Sequence, residues 1–155
     1  MKYILLSFIL LFSACSIKNY ETTQAKIIII KSPKIKFADI GYLRNTGDAI
    51  ELELFIAGNP VQKIEINTLI CVSAGCTTKS AFNEEYLHFS YPDSLLQNIL
   101  LGQVIYDGKN KQITDDGFEQ RITNRDVDII YKVTNKSIFF KDKKNKIIFK
   151  IKDIK

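Results

Sequence analysis

The chain is poor in the residues from which most metal and catalytic sites are built. It has 155 residues but a single histidine, His88, and no serine or cysteine forms a recognisable nucleophile motif with it. One histidine cannot complete the four-ligand set of a zinc site. The seven glycines are scattered through predicted turns, so the chain has no glycine-rich phosphate loop. We therefore predict no metal, no cofactor and no enzymatic activity.

The apolar run near the N terminus is too short for a transmembrane helix. It extends over residues 3–12, broken only by Ser7, which is about half of the ~20 residues that a membrane span needs. It follows one positive charge, Lys2, and precedes the small residues Ser13 and Ala14. This layout is typical of a secretory signal, so we predict that residues 1–14 are removed.

The predicted cleavage point lies directly before a cysteine. The stretch Leu11-Phe12-Ser13-Ala14-Cys15 resembles the lipobox of bacterial lipoproteins, with Phe12 where that family prefers leucine. The resemblance implies that Cys15 receives a diacylglyceryl thioether and, after cleavage, an N-acyl chain such as palmitate. Ser16, in place of the aspartate that retains enteric lipoproteins at the inner membrane, favours the outer membrane. There we expect the domain on the periplasmic face rather than at the cell surface. The alternative is an ordinary signal peptide followed by an incidental cysteine.

Two of the three cysteines remain once Cys15 is assigned to lipid. Cys71 and Cys76 form an even pair in an oxidising compartment, and the spacer between them ends in Gly75. Such a spacer can turn tightly enough to bring two sulfurs together. We therefore predict a disulfide between Cys71 and Cys76 that clips a turn. The four-residue spacing argues against a redox pair, which has two residues between its sulfurs.

Hydrophobic periodicity predicts strands before and after two short helices. Residues 15–25 are polar and are interpreted as the lipidated cysteine with its tether, and residues 26–155 as one globular domain. The four isoleucines at 27–30 indicate a strand buried on both faces, and a second strand is expected at 35–43. Residues 50–56 and 63–70 alternate between apolar and polar positions on either side of a Gly58-Asn59-Pro60 turn, which predicts an antiparallel hairpin.

The middle of the chain changes to helical spacing. A first helix is expected after Ser80, with Phe82, Tyr86 and Phe89 on one face. A second is expected after Asp93 and ends at Gly102. Residues 107–117 are polar and rich in turn formers and are predicted to be mobile. Alternating segments at 129–133, 138–140 and 147–151 complete an α+β domain, an antiparallel sheet with helices on one face.

A second resemblance concerns this domain. Residues 95–103 resemble the leucine-rich helix ending in glycine of the outer-membrane lipoprotein receptor LolB and its LolA-like periplasmic carrier relatives, and the order of elements over residues 35–155 is similar. The resemblance implies a curved half-barrel whose groove binds an acyl chain or a lipoprotein. The expected groove residues are apolar side chains of the hairpin and the second helix: Leu52, Leu54, Ile64, Ile66, Leu96, Ile99 and Leu100. The alternative is that they form a closed core.

Positive charge is concentrated at the C-terminal end. From position 141 onward the chain has lysines at 141, 143, 144, 146, 150, 152 and 155 against Asp142 and Asp153. Such a patch can meet anionic lipid headgroups or nucleic acid, or it can be a solvated strand face that resists aggregation. Export argues against a nucleic-acid partner.

Two functions follow from these observations. The first is a non-enzymatic, lipid-anchored envelope lipoprotein that binds acyl chains or lipoproteins in outer-membrane biogenesis. The second is a structural or surface-interaction lipoprotein, of the adhesin or antigen kind, that docks a partner without a bound ligand.

Overall fold

In a computed structural model of the protein, the structure is described for residues 22–154. The predicted signal, Cys15 and most of the predicted tether lie outside the described residues. Within them the chain forms an open antiparallel sheet of 11 strands and two short helices, as expected for an α+β domain.

All strand pairs are antiparallel, and the order across the sheet is β6-β5-β4-β3-β2-β1-β11-β10-β9-β8-β7. The strands are β1 (Thr22–Lys31), β2 (Lys36–Asn45), β3 (Ile50–Ile56), β4 (Asn59–Ile66), β5 (Ile70–Val72), β6 (Gly75–Thr77), β7 (Lys111–Thr114), β8 (Gly117–Thr123), β9 (Asp128–Thr134), β10 (Ser137–Asp142) and β11 (Ile147–Asp153). Two meanders, β1–β6 and β7–β11, are therefore joined at the centre of the sheet by the pairing of β1 with β11.

The two helices lie in the connection between the meanders. Helix α1 (Lys79–Tyr86) begins after Thr78, whose hydroxyl accepts a hydrogen bond from the Ala81 amide at 3.2 Å. Helix α2 (Leu95–Leu101) ends at Gly102, which has the left-handed conformation (φ 65°) typical of a glycine C-cap. A 3₁₀ turn (Tyr106–Gly108) follows. No helix within residues 22–154 has both the length and the apolar character needed to cross a membrane.

One face of the sheet, here called the inner face, packs against the helices. Cross-strand partners share a face, and in the central strands the pairs Phe37–Ile30, Ile30–Phe149 and Phe149–Phe140 continue one apolar row. These side chains belong to the same core cluster as Leu96 of α2. An amphipathic helix of seven residues is stable only in such packing.

Strand β1 differs from its prediction in two ways. It starts at Thr22, within the stretch predicted as tether, because residues 22–25 pair with the end of β2. Its isoleucines are not buried on both faces: Ile28 and Ile30 are buried, but Ile27 is 42% exposed. The prediction of two-sided burial was wrong because the helices cover only the inner face.

Several element boundaries also differ from their predictions. The strand expected at 35–43 extends from 36 to 45. The turn expected at Gly58-Asn59-Pro60 consists of Ala57 and Gly58, both with positive φ, and Asn59 and Pro60 already belong to β4. Helix α1 begins at Lys79, and its N-cap is Thr78 rather than the expected Ser80. Phe89 lies beyond the end of α1 and is 69% exposed, so it does not share a buried face with Phe82.

The turn-rich segment 107–117 contains regular structure that its composition did not predict. It holds the last residues of the 3₁₀ turn and the edge strand β7, which pairs with β8. Strand β8 was not predicted either, since it is mostly polar. Its buried Gln120 is satisfied by main-chain atoms: the side-chain amide donates to the carbonyls of Ile105 (2.9 Å) and Lys109 (2.8 Å) and accepts from the Ile105 amide (2.9 Å).

Candidate functional site

A cleft opens at one end of the inner face, beside the C-terminal end of α2. Its volume is about 220 Å³. It lies where β1 begins, where β2 and β11 end, and next to the β9–β10 turn. It is lined by Thr22, Gln24, Lys26, Leu43, Asn45, Leu100, Leu101, Thr134, Asn135, Lys136, Ser137, Ile138, Ile151 and Asp153.

The floor of the cleft is apolar. Leu100 and Leu101 come from α2 and face Ile138 and Ile151 of the sheet. The helix is fixed there by Tyr131 of β9, whose hydroxyl is 2.9 Å from the Gln103 carbonyl oxygen and 3.3 Å from that of Asn98. The floor is thus continuous with the packing between helix and sheet.

A charged pair stands on the same inner face. Lys26 and Asp153 are cross-strand partners in β1 and β11, and Lys26 Nζ lies 2.5 Å from Asp153 Oδ1. The Lys26 side chain is 17% exposed and that of Asp153 is 47% exposed. The ammonium group is therefore partly shielded from water beside an apolar floor. This arrangement can hold an anionic head whose tail lies on the floor.

The predicted groove residues do not line an open groove. All seven are at most 2% exposed and belong to one core cluster with both helices and the sheet. Only Leu100 also lines the cleft. The structure thus places them together, in the closed packing that was the stated alternative.

The cleft residues that the sequence analysis missed are mainly on strands: Leu43, Ile138 and Ile151 from alternating segments, together with Lys26 and Asp153. The alternation of apolar and polar residues in those segments indicated which side chains lie on the inner face. No local pattern could predict the ion pair between Lys26 and Asp153, because the two residues are separated by 127 positions in sequence. Their meeting depends on the β1–β11 register.

The opposite end of the inner face is closed by a buried carboxylate, Asp142. Tyr91 Oη and Asn145 Nδ2 donate to its Oδ2, each at 2.7 Å. The backbone amides of Asp128 (3.2 Å), Lys144 (3.0 Å) and Asn145 (3.2 Å) donate to its Oδ1. Burial alone raises the pKa of a carboxyl, but these hydrogen bonds outweigh it and lower the pKa of Asp142 below its usual value.

Two tyrosines complete this closed end. Burial, and next the hydrogen bond to Asp142, raises the pKa of the Tyr91 phenol. Burial, with the negative charges of Asp142 and Asp126, raises the pKa of Tyr106 to about 12. The Tyr106 hydroxyl is buried without a hydrogen-bond partner among the residues described. Both phenols stay neutral at physiological pH, and the arrangement has the features of a structural latch.

Cys71 and Cys76 are joined in the structure by a disulfide, as cross-strand partners in the small β5–β6 hairpin. The bridge lies at one edge of the sheet, away from the cleft. It clips a turn after β4 rather than ending β4 itself.

His88 lies just after α1, where its Nδ1 is 2.7 Å from the Ser90 hydroxyl. Residues 22–154 contain no cluster of three or more His, Cys, Asp or Glu side chains that could hold a metal ion.

No family model, curated protein or solved structure gives a significant match to the chain.

Proposed function

We propose that the protein is a non-enzymatic lipoprotein of a Gram-negative outer membrane, anchored through Cys15, whose domain binds the acyl chain of a lipid or lipoprotein. The observation that carries the ligand part is the cleft, which joins an apolar floor to the shielded ammonium of Lys26. A fatty acyl group with an anionic or carbonyl head has the matching chemistry. The anchor part depends on the lipobox resemblance and on the short distance in sequence between Cys15 and β1.

The anchor would keep the domain close to the bilayer. Strand β1 begins at Thr22, seven residues after Cys15. An extended chain of that length reaches at most about 25 Å, at roughly 3.5 Å per residue. A ligand leaving the cleft would therefore meet the membrane within a short path.

The finer architecture in this proposal is a curved half-barrel, with the helices lying across its concave side. The unclosed 11-stranded sheet and the two short helices in the connection between its meanders support it. In such a half-barrel the space between helix and sheet is the binding groove.

The size of the cleft limits what it takes up without rearrangement. Small-molecule sites usually have volumes of roughly 300–1,000 Å³, whereas this cleft has about 220 Å³. The cleft as it stands therefore accepts the head and first part of one chain. A whole acyl chain requires α2 to shift away from the sheet and expose the packed leucines and isoleucines behind it.

Ligand binding is tested by native mass spectrometry of the full chain, purified in mild detergent from bacterial membranes, together with uptake of a fluorescent fatty acid. We expect a co-purified lipid in addition to the covalent anchor. Leu101→Trp fills the cleft and should weaken fatty-acid uptake about tenfold or more. Leu69→Trp, at a partly exposed turn away from the cleft, is the matched control and should leave fatty-acid uptake unchanged. An apo mass with no uptake overturns the ligand proposal.

The anchor is tested separately with Cys15→Ala, which should release the protein from bacterial membranes. A variant that still sediments with the envelope in detergent-free buffer shows that lipid on Cys15 does not hold it there.

A second candidate, an interaction lipoprotein without ligand, is favoured by one observation. The predicted groove residues are fully packed, while the edge strand β7 presents Ile113, which is 76% exposed. An exposed edge strand can pair with a strand of another protein. Crosslinking from a photoreactive residue at Gln112 in intact cells should then give one discrete adduct, whereas the ligand proposal predicts none at this edge.

A further inference from the structure

We propose that the outer face of the sheet, opposite the helices, is a docking surface for an anionic lipid bilayer. The surface consists of the outward side chains of the central strands β2, β1, β11, β10 and β9, here called the lysine face. This inference goes beyond the proposed function and requires neither a ligand in the cleft nor a lipid on Cys15.

The strand register brings the lysines of separate segments onto one surface. Lys31 is opposite both Lys36 in β2 and Ile148 in β11, and Ile148 is opposite Lys141 in β10. Continuing the register gives the full basic set of the lysine face: Lys31, Lys36, Arg44, Lys132, Lys141, Lys150 and Lys152.

Acidic side chains are nearly absent from the lysine face. Among the outward positions of these strands the single carboxylate is Asp128, at the end of β9, and it lies 3.8 Å from Lys143. The acids of the outer surface lie instead on the flanking strands. There Glu51 and Glu53 pair with Arg44, and Glu119 pairs with Lys132.

Most of the lysines are not neutralised by the protein itself. Lys31, Lys36, Lys141, Lys150 and Lys152 form no ion pair within residues 22–154. Cationic side chains near an anionic bilayer each favour binding, and the attraction extends over about one Debye length. A surface with this charge matches a layer of phosphate headgroups.

Aliphatic side chains are interleaved with the lysines. Ile27 and Ile40, cross-strand partners in β1 and β2, are each 42% exposed. Ile148 lies half-buried between Lys31 and Lys141, and the half-buried Ile29 is opposite Lys150. Such a pattern lets apolar side chains enter the headgroup boundary while ammonium groups contact phosphates.

The same observations favour a membrane over nucleic acid. Binding of single-stranded nucleic acid normally uses exposed aromatic rings on which bases stack. On the lysine face the Phe139 ring has Lys150 Nζ 5.6 Å from its centroid, and the Tyr42 ring contacts Phe55 and Arg44. Neither ring is a free platform.

The experiment measures vesicle binding of the full chain carrying Cys15→Ala, so that no lipid anchor contributes. The face variant adds Lys31→Gln, Lys36→Gln and Lys152→Gln. The control variant adds Lys34→Gln, Lys79→Gln and Lys109→Gln, which remove the same charge away from the lysine face. All three proteins keep residues 1–21, so any membrane affinity of that segment is common to them.

On vesicles containing phosphatidylglycerol we expect the face variant to bind on the order of 100-fold more weakly than the parent, and the control variant to bind within a few-fold of it. Raising the salt concentration should remove the difference. Equal loss in both variants would show that only net charge matters, and equal binding to neutral phosphatidylcholine vesicles would show that charge is irrelevant. Either result overturns the proposal. It is also overturned if the parent binds an oligonucleotide through these lysines but does not bind vesicles.

Discussion

Asp142 and Asp153 lie on the same inner face, on the neighbouring strands β10 and β11, but at opposite ends of the sheet. Asp142 is fully buried and is held by five neutral hydrogen-bond donors. Asp153 is half-exposed and is paired with Lys26, one of the two lysines that line the cleft. The first carboxylate fixes a turn and seals the core, whereas the second stands at an opening.

The difference shows how one sheet can have a rigid end and an accessible end. A buried carboxylate with all its acceptor sites used has no capacity for a new ligand, and its hydrogen bonds contribute to stability. An ion pair with one half-exposed partner contributes little to stability, and its carboxylate stays accessible to water. We therefore look for function at the Asp153 end and for stability at the Asp142 end.

The largest effect is expected from Asp142→Ala. This change leaves Tyr91, Asn145 and three backbone amides without their acceptor, so the free energy of unfolding should fall by about 3 kcal/mol or more. Urea unfolding followed by circular dichroism measures it. A loss below 1 kcal/mol would contradict the assignment of this end as the stabilising one.

Low pH should also reduce the stability that the Asp142 end contributes. Because the folded-state pKa of Asp142 is lowered, its contribution to stability is complete above the unfolded carboxyl pKa of about 3.9 and is lost as the pH falls through the folded value. We expect the urea midpoint to fall below pH 4, and to fall less steeply in Asp142→Asn. Parallel pH profiles of the two proteins would show that other groups cause the acid loss.

An intermediate effect is expected from Gly102→Ala, at the boundary of the cleft. Alanine is strained in the left-handed backbone conformation of this position. Its β-carbon would also lie 3.3 Å from both Ile138 Cδ1 and Val133 Cγ1. We expect a loss of about 1–2 kcal/mol in unfolding free energy. Gly58→Ala is the matched control, since its φ is also positive but no atom lies within 4 Å. The difference between the two variants measures crowding under α2.

The smallest effect on stability is expected from Asp153→Ala. Removing an exposed partner of an ion pair should change the free energy of unfolding by less than about 1 kcal/mol. Since Lys26 then has no competing carboxylate in the cleft, fatty-acid uptake should increase in the same variant. A large loss of stability without a change in fatty-acid uptake would contradict the assignment of stability to the Asp142 end and function to the Asp153 end.

The sequence predicted the parts of this fold that depend on local pattern. Strict alternation around Leu52 and Ile64 located the β3–β4 hairpin, and Gly102 located the end of α2. Strand β8 was missed because its buried side chain is Gln120, which is satisfied by main-chain atoms distant in sequence. The cleft was missed for a related reason. Its polar and apolar halves meet only through the β1–β11 register, which no local pattern encodes.

The central pairing of β1 with β11 also determines the order in which the domain can be completed. Strand β1 is synthesised first among the described strands, but its second neighbour is the last of them, so the sheet stays in two separate halves until β11 has emerged. Contacts so distant along the chain slow folding. During synthesis the edge of β1 that pairs with β11 therefore stays unpaired. In a circular permutant that links Asp153 to Thr22 and opens the chain between the meanders, β11 and β1 would form a hairpin. Because their pairing would then be local in sequence, this permutant should fold faster.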